Sequence, residues 1–238
     1  MRASALTGVA AAFTALAVVL SGCGSDTKTA TSSSSSTDSS KSSSSKSSTS
    51  KKPTVEATPE PDATGPNPSI ASYITDSGIT ESPVHMGDPG SPTINLPVPE
   101  GWEPAGESTP EWAYGAILYT GPEGAEYTPS IVALVSKLTG DVDPQKIIDL
   151  APGELNNLPG YKPLNEGATS TLGDYPAFQL GGTWESEGQT KIVAQKTVVI
   201  PGADGLYVLQ LNADGLESEA ELVGAATDLI DSDTTITP

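Results

Sequence analysis

Hydrophobic and polar positions divide the chain into three stretches of different character. Residues 9–20 are almost all apolar, whereas residues 31–50 contain 14 Ser, three Thr and no apolar side chain. From residue 69 onward, apolar positions return with the periods of helices and strands. We therefore predict an export signal over residues 1–22, a disordered tether over residues 23–68 and one globular domain over residues 69–238.

The first stretch predicts cleavage and lipidation rather than a membrane span. Its apolar run is shorter than the roughly 20 residues that a helix needs to cross a bilayer. Small residues at Ser21 and Gly22 precede Cys23, which is the one cysteine of the chain. A thiol at this position can carry diacylglycerol, and acylation of the freed amine, for example with palmitate, would hold the protein firmly. We expect a lipid anchor at Cys23 in the cell membrane, with the chain facing the periplasm and cell envelope. The alternative is an ordinary signal peptide with a chance cysteine.

The second stretch is too polar to offset the entropy of ordering it. Its lysines and carboxylates balance, and a Ser-rich coil of this length reaches on the order of 35–40 Å. We interpret it as a spacer. The alternative is a substrate for O-glycosylation on its Ser and Thr residues.

Helix signals occur at both ends and in the middle of the domain. Residues 69–77 have a helical apolar stripe, and Gly78 follows as a left-handed cap. Asp143 and Pro144 are typical of an N-cap and a first helical residue. Ser218 and Glu221 have the spacing of a capping box ahead of a last helix.

Between these helices, five segments have the apolar patterns of strands. A two-residue hairpin turn is predicted at Glu187-Gly188, and Gly181-Gly182 is interpreted as a bulge or bend inside a strand. Helices flanking runs of adjacent strands indicate an α+β sandwich around an antiparallel sheet, since alternating βαβ units are absent. The predicted strands are Trp112–Thr120, Ser130–Leu138, Tyr175–Ser186, Thr190–Ile200 and Gly205–Ala213.

Charge restricts the partners of this domain. It carries 25 Asp and Glu but only five Lys, a net charge of about −20. Nucleic acid binding needs clustered cations, so we expect no nucleic acid partner. Direct docking on anionic lipid headgroups is disfavoured for the same reason. We therefore expect the membrane contact to be made by the lipid on Cys23, and we expect a monomer.

The residues of the domain offer little catalytic chemistry. His85 is the one histidine, so no second His or thiolate could complete the usual metal site, and we expect no metal and no cofactor. No G-x-S-x-G elbow is present, and Ser91 lies between turn residues. We therefore expect a non-enzymatic protein. An esterase remains an alternative that would require His85 within hydrogen-bond reach of a serine and a carboxylate.

Aromatic side chains are the remaining candidates for binding. Rings with polar edges commonly line pockets for amphiphiles and sugars. We predict that Trp102, Trp112, Tyr114 and Trp184 contact a ligand. The alternative is that these side chains fill the core.

Six segments spread over the domain resemble those of a known family: Asn95–Trp102 (NLPVPEGW), Ile131–Ile147 (IVALVSKLTGDVDPQKI), Pro152–Tyr161 (PGELNNLPGY), Ala194–Pro201 (AQKTVVIP), Val208–Asp214 (VLQLNAD) and the terminal TTITP. With these segments the domain resembles the LpqN/LpqT lipoproteins from mycobacteria and related actinobacteria. This resemblance implies a PsbP-like α/β/α sandwich with a central antiparallel sheet and a non-enzymatic envelope lipoprotein. It also implies an association with mycolate-type glycolipids and with lipid-transport proteins.

Two functional hypotheses follow. The first is a membrane-anchored binding or adaptor protein for envelope glycolipids and their transport machinery. Its rival is a pure protein-docking module without a lipid ligand. A concave apolar pocket bearing two or more of the tryptophans would favour the first, and a close-packed core with the aromatics inside would favour the second.

Overall fold

The computed structural model describes residues 65–121 and 127–238. Within these residues, runs of consecutive strands are separated or flanked by short helices. The α-helices are α1 (Ile70–Ser77), α2 (Pro144–Leu150), α3 (Pro152–Asn156) and α4 (Ala220–Asp233). The strands are β1 (Thr80–Pro83), β2 (Thr93–Asn95), β3 (Trp102–Pro104), β4 (Gly115–Tyr119), β5 (Ser130–Thr139), β6 (Lys162–Pro163), β7 (Ala168–Leu172), β8 (Tyr175–Ser186), β9 (Gln189–Pro201), β10 (Leu206–Leu216) and β11 (Thr235–Thr237).

Nine of these strands form one antiparallel sheet in the order β3-β4-β5-β10-β9-β8-β6. Strand β1 shares the outer edge of β5 with β4, and β7 shares the outer edge of β8 with β6. The centre of the sheet is formed by the long strands β8, β9 and β10, which pair in continuous register. Strands β2 and β11 form a separate two-stranded sheet.

Both faces of the large sheet are covered. On one face, apolar side chains of the strands pack under α1 and α2, with Leu138 and Ile147 fully buried. Helix α4 covers the other face through Val223, Ala226 and Ile230, which pack on strand residues such as Leu209. Alternation of side chains along each strand produces these two layers. The result is an α/β/α sandwich around a central antiparallel sheet, which confirms the fold predicted from the sequence.

Most of the predicted helix signals are confirmed. The Ser69 side chain accepts a hydrogen bond from the backbone of Ser72, and Gly78 closes α1 at φ 63°. The Asp143 carboxylate accepts hydrogen bonds from two backbone N–H groups at the start of α2. The predicted capping box of the last helix is wrong. A 3₁₀ turn covers residues 217–219 instead, and the Glu219 carboxylate accepts a hydrogen bond from the backbone of Leu216.

Two glycine predictions have different outcomes. Glu187 and Gly188 both have positive φ, at 53° and 79°, as a two-residue hairpin turn requires. Gly181 and Gly182, by contrast, pair in regular register with Ala194 and Val193, so the predicted bulge is wrong. A side chain at Gly182 would lie 2.5 Å from the backbone of β6, and the close approach of that strand explains the glycine.

The predicted strand at Trp112–Thr120 begins three residues later, at Gly115. Residues 110–113 form a turn instead, in which the Ala113 N–H donates to the Pro110 carbonyl at 3.0 Å. Trp112 therefore lies in this turn and not in β4. Within the described part of the chain, no helix has the length and apolarity needed to cross a membrane.

Candidate functional site

A cavity of about 390 Å³, here called cavity A, lies between the sheet and helices α1 and α3. Its volume falls in the range typical of small-molecule sites. Aliphatic side chains from both helices and from β5 and β10 form most of its wall. The lining residues are Ile70, Ala71, Ile74, Glu81, Pro83, Trp112, Val132, Leu134, Val135, Ser136, Leu138, Glu154, Leu155, Leu158, Gln195, Val208, Gln210 and Asn212.

Four polar side chains meet in this largely apolar wall, and we call them the polar cluster: Glu154, Gln195, Gln210 and Asn212. Glu154 Oε2 accepts hydrogen bonds from Gln210 Nε2 at 2.6 Å and from Gln195 Nε2 at 3.1 Å. Gln195 Nε2 also donates to Asn212 Oδ1 at 2.9 Å. The cluster thus joins α3 to β9 and β10 through side chains alone.

Glu154 is positioned by close packing of α3 against residues 67–68, which precede α1. A Cβ atom at Gly153 would lie 1.9 Å from the Pro68 carbonyl oxygen, so this glycine lets the two backbones touch. The Asn157 side chain holds the same segment, because it donates to the Asn67 carbonyl at 3.0 Å. Helix α3 is therefore pressed against the sheet, with Glu154 directed inward.

Burial changes the acidity of this carboxyl group. Glu154 is only 5% exposed, and the loss of water raises its pKa above the ordinary value of 4.5. Hydrogen bonds from Gln210 and Gln195 act in the opposite direction, and the charge of Glu81 raises the pKa slightly further. Burial therefore favours the protonated form of Glu154 more than water does, and a protonated carboxyl can donate as well as accept.

The polar cluster has one buried acceptor to spare. Gln195 is 3% exposed, and its Oε1 accepts no hydrogen bond from the described residues. In the structure the amide Nε2 faces the acceptor oxygens of Glu154 and Asn212. A buried acceptor without a donor costs about 1–3 kcal/mol. The unpaired Oε1 therefore lowers the stability of the domain.

Of the four aromatic residues predicted to contact a ligand, Trp112 alone lines cavity A, where it is 41% exposed. Trp102 is buried in the core on the opposite face and packs at 5.8 Å against Tyr119. Tyr114 is buried in the same core and accepts a hydrogen bond from the Ile94 N–H at 3.4 Å. Trp184 is buried with Leu155, Leu180 and Val193. Ligand contact by these residues stays a prediction, with Trp112 the best placed.

His85 does not meet the requirement of the esterase alternative. Its Nε2 lies 3.0 Å from the Glu111 carbonyl oxygen, and its Nδ1 lies 3.5 Å from an Asp88 carboxylate oxygen. No serine among the described residues contacts the imidazole, and Ser91 Oγ donates to the Asp88 carbonyl instead. The described residues also contain no group of three His, Cys, Asp or Glu side chains that could hold a metal ion. Cys23, the predicted lipidation site, lies outside the described residues, as do the predicted signal and nearly all of the tether.

The sequence contained a pattern that predicts part of the polar cluster, but the sequence analysis considered only aromatic residues as candidates for binding. Along β10, Val208, Gln210, Asn212 and Asp214 occupy alternate positions and therefore share one face of the sheet. Three polar residues on one face of a central strand indicate either exposure or a buried polar site. Glu154 carried no such signal, since a carboxylate in a short helix is ordinarily solvated.

The fold and cavity A together define a class of protein: a small α/β/α domain with a largely apolar pocket and a buried polar cluster. The sequence profile of a family described as "Probable lipoprotein LpqN" matches residues 66–237. The chain therefore belongs to the LpqN family of lipoproteins, as the resemblance implied.

Individual relatives agree with this assignment. Lipoprotein LpqN of Mycobacterium tuberculosis (strain ATCC 25618 / H37Rv) is 53% identical over 176 residues, 74% of this chain and 77% of that protein. Putative lipoprotein LpqT of Mycobacterium leprae (strain TN) is 27% identical over 157 residues, 63% of this chain and 68% of that protein. The crystal structure of LpqN involved in cell envelope biogenesis of Mycobacterium tuberculosis matches with a TM-score of 0.70 and 52% identity. That match covers 73% of this chain and all of that one.

Proposed function

We propose that this lipoprotein is anchored through Cys23 at the outer face of the cell membrane and binds an envelope glycolipid in cavity A. In this role it is a non-enzymatic carrier or adaptor in cell envelope biogenesis, working with lipid-transport proteins. The relative whose crystal structure matches over its whole length is described as involved in that process. The names of the relatives are not those of enzymes.

The observation that carries the proposal is a largely apolar cavity whose wall includes the half-buried polar side chains of Gln210 and Asn212. A glycolipid offers both kinds of group that this wall needs. Sugar hydroxyls can exchange hydrogen bonds with these two side chains, while the alkyl portion contacts the aliphatic wall.

Trp112 adds a second element of recognition. Its indole is half-exposed at the cavity, where it can cover the apolar face of a sugar ring or the first part of an alkyl chain. The volume of about 390 Å³ is that of a small-molecule site, so cavity A holds the headgroup or part of one chain rather than a whole long-chain glycolipid.

The test is native mass spectrometry on the chain from residue 23 onward with Cys23→Ser, after incubation with envelope glycolipids of the source organism. A stoichiometric glycolipid adduct is expected. Leu134→Trp should abolish it, because Leu134 is a half-buried wall residue of cavity A. Val98→Trp, at an exposed apolar position outside the cavity, should retain it.

Trp112→Ala should weaken binding of the glycolipid about two- to twelvefold, in line with about 0.5–1.5 kcal/mol for an aromatic contact. A clean ligand-free mass, under conditions where a known lipid carrier loads, would overturn the proposal.

The rival function, a protein-docking module without a lipid ligand, has one observation in its favour. Trp102 and Trp184 are packed in the core, as that alternative predicted, and cavity A contains Trp112 but not the two or more tryptophans that the glycolipid hypothesis predicted. If no glycolipid binds, crosslinking in intact cells becomes the next experiment. A protein partner captured there, and lost on substitution of an exposed acidic face rather than of Trp112, would establish the docking module.

A further inference from the structure

A second cavity, here called cavity B, lies on the opposite face of the sheet, between β8–β10, helix α4 and the segment 164–168. Its volume is about 480 Å³. The sheet separates it from cavity A, so one ligand cannot occupy both. The lining residues are Ile131, Leu164, Asn165, Gly167, Ala168, Gln179, Leu180, Gly181, Ala194, Gln195, Lys196, Leu211, Ala213, Thr227, Asp228, Ile230 and Asp231.

The floor of cavity B is a trough, because three adjacent strands have glycine or alanine at the positions that face it. Gly181, Ala194 and Ala213 lie directly opposite one another on three adjacent strands. Gly181 and Ala194 remain partly exposed although their strands are central. Helix α4 therefore does not fill the space that the small residues leave, and an aliphatic surface remains open beneath it.

A buried ammonium group borders this trough. Lys196 occupies the neighbouring row of the sheet, between Gln179 and Leu211, and it is 7% exposed. Its Nζ forms an ion pair at 2.5 Å with Asp231 of α4. An ammonium has three donors, and Asp231 is the one ion-pair partner that the described residues supply. Lysine is almost never buried to this degree unless it is paired, and Asp231 supplies that pairing.

We propose that cavity B binds an aliphatic carboxylate, with Lys196 donating to the carboxylate and the alkyl chain lying over Gly181, Ala194 and Ala213. The ligand shares the ammonium with Asp231. Both parts of such a ligand have a partner in cavity B. The alkyl chain fits the trough, and the carboxylate at its end lies beside the buried ammonium of Lys196. This site is independent of the glycolipid proposed for cavity A.

Nearby acidic groups set the conditions of binding. Asp228 and Asp231 of α4 both line cavity B, and the domain as a whole carries about −20 charges. These charges repel an anion at long range, but about 0.15 M salt shortens their reach to about 8 Å. Affinity for the carboxylate should therefore rise when salt is raised from about 0.01 M to about 0.15 M, opposite to the usual behaviour of an anion site.

The test is isothermal titration of dodecanoate into the chain from residue 23 onward with Cys23→Ser, at about 0.15 M salt. Saturable binding of one dodecanoate is expected. Lys196→Met should weaken dodecanoate at least tenfold while changing the affinity for dodecanol, which has no charge, less than twofold. Asp231→Asn should tighten dodecanoate, because it removes the competing carboxylate and leaves the ammonium without an ion-pair partner. A purely structural Lys196–Asp231 pair predicts no such gain.

A steric variant keeps the test independent of the ion pair. Ala194→Leu fills the trough and should abolish dodecanoate binding, whereas Ala225→Leu, at an exposed position on α4 outside the lining, should retain it. Circular dichroism and a melting curve show whether each variant is folded. No binding to the parent chain, an unchanged affinity in Lys196→Met or Ala194→Leu, or weaker binding in Asp231→Asn would overturn the proposal.

The two cavities give separable outcomes. Loss of dodecanoate in Leu134→Trp, with binding intact in Ala194→Leu, would move the carboxylate into cavity A and overturn this proposal. Retention of the glycolipid adduct in Ala194→Leu keeps the function proposed for cavity A, whatever happens to dodecanoate.

Discussion

Replacing Glu154 by Leu tests whether the polar cluster is an interacting network. In Glu154→Leu, Gln210 Nε2 loses its acceptor at 2.6 Å, while Gln195 Nε2 keeps Asn212 Oδ1 at 2.9 Å. Gln210 is half-buried at cavity A, so the loss of its acceptor costs about 1 kcal/mol, and the bond that Gln195 loses while it keeps Asn212 costs about 1 kcal/mol more. We expect the free energy of unfolding to fall by about 2 kcal/mol. For a domain of this size, the melting temperature should then fall by about 4–8 °C.

Glu154→Gln is the matched control, because its side-chain carbonyl can still accept from both amides. We expect this variant to stay within about 1 kcal/mol of the parent near pH 5. The assay is urea unfolding followed by circular dichroism, with the m value checked for two-state behaviour. Equal stability of Glu154→Leu and Glu154→Gln would refute the reasoning, since it would mean that the amides do not need the acceptor.

The difference in stability between the parent and Glu154→Gln, measured as a function of pH, tests whether the pKa of the Glu154 carboxyl is raised. Burial raises the pKa of Glu154 above its unfolded value. Its contribution to stability is therefore fully present below the ordinary pKa of 4.5 and is lost as the pH rises through the folded pKa. Glu154→Gln lacks this titration, so the parent should lose stability relative to it between about pH 4 and neutrality. A constant difference across that range would contradict the raised pKa.

Three further substitutions test how the fold positions the site, each by urea unfolding. Gly153→Ala should destabilise by about 1–3 kcal/mol or more, because the new Cβ would meet the Pro68 carbonyl at 1.9 Å; a neutral result would mean that the segment before α1 does not press on α3. Asp143→Ala should cost about 1 kcal/mol through loss of the N-cap of α2, and Asp143→Asn should recover most of it. Tyr207→Phe should cost about 1 kcal/mol and speed amide exchange in the loop at Gly90, whose carbonyl accepts from the tyrosine hydroxyl at 3.0 Å; unchanged exchange would show that the bond does not hold the loop.

Long central strands were predictable because their patterns are strong and their ends are marked. The segment Tyr175–Ser186 is a strand over its whole predicted length, and the Glu187-Gly188 turn fixes its pairing with β9. Short edge strands were less predictable. The turn at residues 110–113 displaces the start of β4, although the alternation of apolar residues continues through Trp112. Local turn chemistry outweighs periodicity where few cross-strand contacts hold the chain.

The candidate sites were harder to predict because they depend on contacts between distant residues. Glu154 meets Gln195 and Gln210 across 41 and 56 positions of sequence, and no local pattern encodes that meeting. Lys196 lies in the interior although lysine is ordinarily exposed, and its partner Asp231 is on the last helix. The aromatic residues were visible in the sequence, but three of the four serve the core.

On the sheet face that lies beneath α1 and α2, some buried positions are polar although apolar side chains would fit there. Val199 and Val208 show that apolar side chains pack well on this face. Further along the same two strands and on the same face, the residues that line cavity A are polar: Gln195, Gln210 and Asn212. Replacing buried polar groups by apolar ones of similar size is often neutral or stabilising, so the polar cluster lowers stability relative to a simpler core. Departures from good packing concentrate where a protein binds its ligand. A ligand held by Gln210 and Asn212 in cavity A would bind the folded state alone and so raise its stability, by about 2.7 kcal/mol at a hundred times its dissociation constant. The same feature that weakens the empty domain thus supplies part of the affinity of the occupied one.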